Sequence, residues 1–176
     1  MSEQKDEFEY IKVEGPDVFF YCEVSRESIV ELCQVLKRVE RDRHNPIFLH
    51  IQSEGGDVHA GLGAMDFLRT IKSTVVTIAE GMCASAATFI LLGGDERQVL
   101  PNTYLLIHQI SNDMWGKYED LKDEMKQCEL IMKRIKKIYL RETSIPEKKL
   151  DRLLQRDMYL SARQCIKYKI TKEGLK

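Results

Sequence analysis

The chain has 176 residues, enough for one domain with a real hydrophobic core. Apolar residues make up 43% and charged residues 31%, a soluble globular composition, and no apolar run approaches the roughly 20 residues that a membrane span needs. The formal net charge of -1 argues against the broad basic footprint that nucleic acid requires.

Residues 1–9 read as a short polar arm, charged and without the apolar core of a secretory signal. One domain is expected over 10–176. VFFYCEV (Val18–Val24) is β-prone and reads as a strand. Ser25 can cap a helix reaching about Glu40, where Ile29, Leu32, Leu36 and Val39 recur at helical spacing. PIFLHIQS (Pro46–Ser53) is a second strand, closed by the turn EGGD (Glu54–Asp57). A helix over about His59–Ile71 follows, then the buried strand STVVTIAEG (Ser73–Gly81). Cys83–Leu92 reads as the next helix, and TYLLIHQ (Thr103–Gln109) as a strand after the turn at Pro101-Asn102. Strands alternating with helices point to an α/β fold of parallel β-α-β units.

A long helix is expected over about 117–142. Leu121, Met125, Cys128, Met132, Ile135 and Tyr139 step by four, three, four, three and four along it, a narrow apolar seam. That seam suits packing on the chain's own domain and equally a projecting helix that meets a partner subunit. Pro146 starts a further short helix, and Ser161-Ala-Arg-Gln164 is a capping box for the last one.

The five cysteines, Cys22, Cys33, Cys83, Cys128 and Cys165, are scattered and form no C-x-x-C pair. Free thiols in a reducing cytoplasm are the expectation. His50, Asp57 and His59 offer an alternative reading as metal ligands, but they complete no recognised ligand set, so no metal is expected.

Two glycine points follow strand ends: Gly55-Gly56, and Gly81 shortly before Ser85. Sites in open α/β sheets form beyond the carboxyl ends of strands. Ser85 sits in Cys-Ala-Ser-Ala-Ala, where small neighbours allow close approach of another loop. Alone it reads as a buried structural serine. As a nucleophile it needs a base, and His108 ends the next strand on the same sheet edge. Loop and helix N–H groups could then hold an oxyanion. The carboxylate that would orient His108 stays open among Asp57, Asp66, Asp95, Asp113, Asp151 and Asp157.

These residues carry a resemblance. IQSEGGDVHAGLGAMDFLRTIKSTVVTIAEGMCASAATFILLGG, then LPNTYLLIHQ and RDMYLSARQCIKYKI (Arg156–Ile170), closely resemble the family of ClpP, the proteolytic subunit of the Clp protease. The family's patterns are N-S-P-G-G, A-S-M/A, L-P-N-S-x-x-M-I-H-Q and R-D-x-x-x-S-x-x-E-A-x-x-Y-G. The likeness runs from about Tyr10 to Ile170. It implies a crotonase-like head of repeated β-α-β turns with a long handle helix. It implies Ser85 as nucleophile, His108 as general base and acid, and Asp157 as the orienting carboxylate. It implies Gly56 and Ala86 as the backbone N–H donors of the oxyanion hole, and no cofactor.

The resemblance further implies a serine endopeptidase that cleaves peptides or unfolded polypeptides inside a chamber. That chamber would be a homo-oligomer of heptameric rings stacked as a tetradecamer. Leu121, Met125, Met132 and Arg156 become candidate subunit contacts. An AAA+ unfoldase, ClpX- or ClpA-like, is the implied partner, although the family's axial segment corresponds here to a short arm. Glu54 and Ile110 replace family prolines, and Lys169 stands where Tyr-Gly is expected. A divergent paralogue or a phage-encoded relative, active alone or joining host ClpP subunits as a regulatory subunit, fits these departures.

Overall fold

The computed structural model describes residues 11–111 and 113–174. The arm expected at 1–9 lies outside the described residues.

Strand β1 (Ile11–Glu14) pairs antiparallel with β2 (Asp17–Phe20) through a turn at Gly15, whose φ is 60. Helix α1 (Arg26–Arg41) begins at Ser25, which accepts from the Ser28 N–H at 3.1 Å. Ser28 returns the bond, its hydroxyl accepting from the Ser25 N–H at 2.9 Å. Two N–H groups that a helix start leaves unpaired are thereby satisfied. Ile29, Leu32, Val35, Leu36 and Val39 line the buried face of α1.

Strand β3 (Ile47–Ser53) lies parallel to β2 and buries alternate residues Ile47, Leu49, Ile51 and Ser53. Helix α2 (Val58–Leu68) starts at Asp57, whose Oδ1 accepts from the N–H groups of His59 at 2.7 Å and Ala60 at 3.1 Å. Strand β4 (Val75–Ala84) is the longest, and α3 (Ala87–Gly93) follows it almost at once. Every residue of α3 is buried, because it runs between the sheet and α2. Next come β5 (Glu96–Val99), β6 (Tyr104–Leu106) and the long α4 (Tyr118–Glu142). Helix α5 (Glu147–Gln155), β7 (Tyr159–Ser161), α6 (Ala162–Lys167) and β8 (Glu173–Gly174) complete the described chain.

The main sheet has the order β1-β2-β3-β4-β5-β8, parallel from β2 onward. Its bend is in β4. Ile51 pairs with Ala79 and Ser53 with Cys83, so β4 spends four residues where β3 spends two. Gly81, with φ 52, sits in that bulge. Bulges turn a strand and increase its twist. Beyond it, Met82–Ala84 leave β5 and pair with β6, which pairs with β7.

The expected parallel β-α-β head and long handle helix are present. The differences are local. Cys83 and Ala84 belong to β4 rather than to a helix, and Ser85-Ala86 form a turn. The strand at 104–106 is shorter than expected and leaves His108 beyond its end. Gln164 Oε1 accepts from the Ser161 N–H at 2.9 Å, as the capping-box reading requires. Lys169, where the resemblance leads one to expect glycine, takes a left-handed φ of 53.

The seam of α4 divides in two. Ile135, Ile138 and Tyr139 are buried on the head, while Leu121 is 37% and Met125 53% exposed. Met132, a candidate subunit contact, is partly buried against the chain's own core, and its sulfur accepts from the Ile110 N–H at 3.4 Å. All five cysteines are free thiols. Burial pushes Cys165 up to about 12 and Cys83 higher still, so neither is poised as a thiolate. No helix of the described residues is long and apolar enough to cross a membrane.

Ser25→Ala removes one half of the reciprocal cap on α1. It should lower the unfolding free energy by about 1 kcal/mol with an unchanged slope in urea titration.

Candidate active site

Ser85 is carried to the site by the bend in β4. Its N–H donates to the Leu106 carbonyl at 2.8 Å, tying the turn to β6. Its φ of 53 is left-handed, uncommon for a residue with a Cβ. Such strain persists only where the surroundings over-determine it. Here the Ser85 carbonyl is held twice by Thr88, from the N–H at 3.0 Å and from the hydroxyl at 2.6 Å.

The glycine loop closes on this turn from the other side. At Gly55, φ 100, an added Cβ would lie 2.6 Å from Ser85 Cβ and 2.7 Å from the Ala84 carbonyl oxygen. At Gly56, φ 141, it would collide with the Val24 carbonyl. Val24 also fixes the loop by bonds to either side, its N–H donating to Gly55 O and its carbonyl accepting from Asp57 N–H, both 2.7 Å. Among the described residues, the N–H groups of Gly56 and Ala86 donate to no protein acceptor. Both residues line the cavity that contains Ser85.

That cavity, of about 470 Å³, is also lined by His108. His108 Nδ1 lies 3.5 Å from Asp157 Oδ1, an ion-pair distance too long for a good hydrogen bond. The opposite ring nitrogen, Nε2, makes no hydrogen bond among the described residues. Among the described residues, no hydrogen bond joins Ser85 to His108. Catalytic hydrogen bonds are often long in unliganded structures and tighten in the substrate complex. The Asp157 side chain is 76% exposed.

The other carboxylates are committed elsewhere or exposed. Asp57 caps α2, Asp95 accepts from the Val75 N–H at 2.8 Å, and Asp151 pairs with Lys136 at 2.6 Å. Asp66 and Asp113 are exposed. Arg156, next to Asp157, is exposed as well and follows α5 in an extended conformation.

His50 does not meet Asp57 and His59 at a common point. Its Nδ1 lies 2.6 Å from Glu80 and its Nε2 3.0 Å from Asp17, with the ring stacked on Phe19 at 4.6 Å. The metal alternative therefore loses its first ligand to a bridge between β2 and β4. His59 instead lines the Ser85 cavity.

Sequence reasoning missed the floor of the cavity. Phe89, Ile131, Ile135 and Tyr139 give it an apolar side, and Glu124 and Cys128 of α4 also line it. The Tyr139 ring lies tilted against Phe89 with centroids 5.6 Å apart, and its hydroxyl meets Thr88 Oγ1 at 2.5 Å. Its place in the α4 seam was the available signal, but the pattern did not say which surface the seam meets.

Known proteins agree with this architecture. The family model described as Clp protease matches residues 5–173. The chain is 34% identical over 149 residues to "ATP-dependent Clp protease proteolytic subunit 2" of Treponema denticola, covering 83% of this chain and 74% of that one. It is 31% identical over 168 residues to "ATP-dependent Clp protease proteolytic subunit" of Oltmannsiellopsis viridis, covering 87% and 86%. The solved structure of a ClpP1 point mutant from Listeria monocytogenes superimposes with a TM-score of 0.82 at 28% identity, covering 92% of each chain. A fold built around the Ser85 turn, matched over nearly its whole length at both levels, establishes that the chain belongs to the Clp protease family of peptidases.

Proposed function

We propose that the chain is a serine endopeptidase that cleaves peptides or unfolded polypeptides through an acyl-enzyme on Ser85. The observation that carries this reading is a single cavity shared by Ser85, His108 and the uncommitted N–H groups of Gly56 and Ala86. In the first step His108 takes the Ser85 hydroxyl proton as the oxygen attacks the peptide carbonyl. The two N–H groups hold the resulting oxyanion. His108 then gives its proton to the leaving amine, and a water activated by His108 hydrolyses the ester. Asp157, on the Nδ1 side, holds the ring and stabilises its charged form.

The loose Asp157 contact supports a second element, assembly. The family's heptameric rings, stacked through handles, would enclose the cavity and draw Asp157 onto His108. Exposed Leu121 and Met125 on the N-terminal half of α4 suit such a contact. An ATPase partner fits the names of the relatives, which are ATP-dependent subunits. The same loose contact also favours an alternative reading, a regulatory subunit that joins a catalytic homologue. Native mass spectrometry separates the two. Stable mixed rings with no turnover by homo-oligomers favour the alternative.

A fluorophosphonate probe should label Ser85 in the assembled protein. Ser85→Ala and His108→Ala should each lower kcat for a peptide substrate by about 10⁴-fold or more. An assembled protein with neither labelling nor turnover overturns the peptidase reading.

Gly55→Ala should abolish labelling and turnover, since its Cβ meets Ser85 and Ala84 at an unfavourable φ. Gly63→Ala has open space around its Cβ. It should keep full turnover and gain about 0.5–1 kcal/mol in urea unfolding, because alanine suits a helix interior better.

A further inference from the structure

The Ser85 carbonyl and the Ala86 N–H belong to one peptide unit. Such a unit is planar, and its C=O and N–H point in opposite directions. Whatever fixes the Ser85 carbonyl therefore also aims the Ala86 N–H. The carbonyl is turned toward α3, where it accepts from the Thr88 N–H at 3.0 Å and from the Thr88 hydroxyl at 2.6 Å. The Ala86 N–H is left on the opposite side of the plane, and Ala86 lines the Ser85 cavity.

The peptide still has two soft torsions, ψ of Ser85 and φ of Ala86. Turning about them would withdraw the N–H from the cavity. A single bond to the Thr88 N–H lets the plane pivot about it, whereas a second donor fixes its tilt. That second donor is a side chain, and a helical threonine has two common rotamers. Here the rotamer is held from α4, because the Tyr139 hydroxyl meets Thr88 Oγ1 at 2.5 Å. Thr88 is 0% and Tyr139 2% exposed, so water does not compete for either hydroxyl.

Each contact alone has an ordinary explanation. A threonine in a helix often bonds a carbonyl three or four residues back, and a buried phenol needs some polar partner. Those habits do not account for where the two contacts converge. They end on the carbonyl of Ser85, whose φ of 53 is left-handed and needs its surroundings to hold it. Thr88 does not line the cavity, so it acts through the peptide and not on a substrate.

We propose that Thr88 and Tyr139 are positioning residues that aim the Ala86 N–H at the oxyanion through the Ser85–Ala86 peptide. The inference rests on the peptidase reading and deepens it. An oxyanion donor bonds the tetrahedral state more strongly than the bound peptide. Its misalignment lowers kcat and leaves KM nearly unchanged.

The test uses the full assembled chain, a fluorogenic peptide and a peptide boronate, whose tetrahedral adduct on serine places an oxygen at the oxyanion position. Thr88→Val keeps the shape and loses the hydroxyl. Tyr139→Phe keeps the ring against Phe89 and loses only the phenol oxygen, so it serves as the variant that folds. Each should lower kcat about tenfold or more with KM within about twofold, and weaken the boronate by the same factor as kcat/KM. Thr88→Ser, which keeps the hydroxyl, should rescue both readouts relative to Thr88→Val. The double variant should be no worse than Thr88→Val, since both side chains act through one carbonyl. Variants that melt lower yet keep kcat and boronate affinity overturn the proposal, and so does a loss of kcat with boronate affinity unchanged. A wild-type chain that neither cleaves the peptide nor takes the boronate overturns the peptidase reading itself, and this proposal with it.

Discussion

Val76–Ala79 of β4 pair with β5, and Met82–Ala84 pair with β6. One strand serves two neighbours because the bulge at Gly81 bends it. The bend aims the last residues of β4 away from the main sheet, so Ser85 emerges between β3's glycine loop and β6. His108 is two residues past the end of β6, and Asp157 is two residues before the start of β7. The β6–β7 pair therefore carries His108 and Asp157 on one small platform. A straight β4 would leave Ser85 against β5 and strand that platform.

The glycine loop meets the same turn under a tighter restriction. Gly55 and Ser85 approach so closely that neither backbone has room for a larger side chain at position 55. Residues packed to this density transmit small changes in volume directly. The opposite wall, formed by α4, is softer. Met132 and Ile131 are partly buried, and Leu121 and Met125 ahead of them are exposed. One side of the cavity is thus fixed by backbone contact, and the other by side chains of a helix whose fully buried residues lie in its C-terminal half.

Much of this was legible in the sequence because it is local. Alternating apolar runs place β3, β4 and α1, and Gly55-Gly56, Ser85 and His108 fall at strand ends. Cys83-Ala-Ser-Ala-Ala87 has the composition of a helix start, yet Cys83 and Ala84 end β4, since small residues suit a tight strand end as well as a helix. Strands β5, β7 and β8 are two to four residues long, too short to show a period. Asp157 could not be selected from the other aspartates by pattern, because its contact with His108 joins distant parts of the chain that no local periodicity bridges. The α4 seam declared an apolar stripe but not its partner. Burial settles that question for Ile135 and Tyr139 and leaves Leu121 and Met125 facing outward.

Thr88 gives its single hydroxyl proton to the Ser85 carbonyl at 2.6 Å. Toward Tyr139 it can then only accept, so the Tyr139 hydroxyl must be the donor across their 2.5 Å contact. Burial keeps that phenol protonated. The handle helix is joined to the peptide of Ser85 by a one-way relay of hydroxyls, each with its proton already assigned. Ser85 Oγ stands outside the relay, and among the described residues its proton has no acceptor.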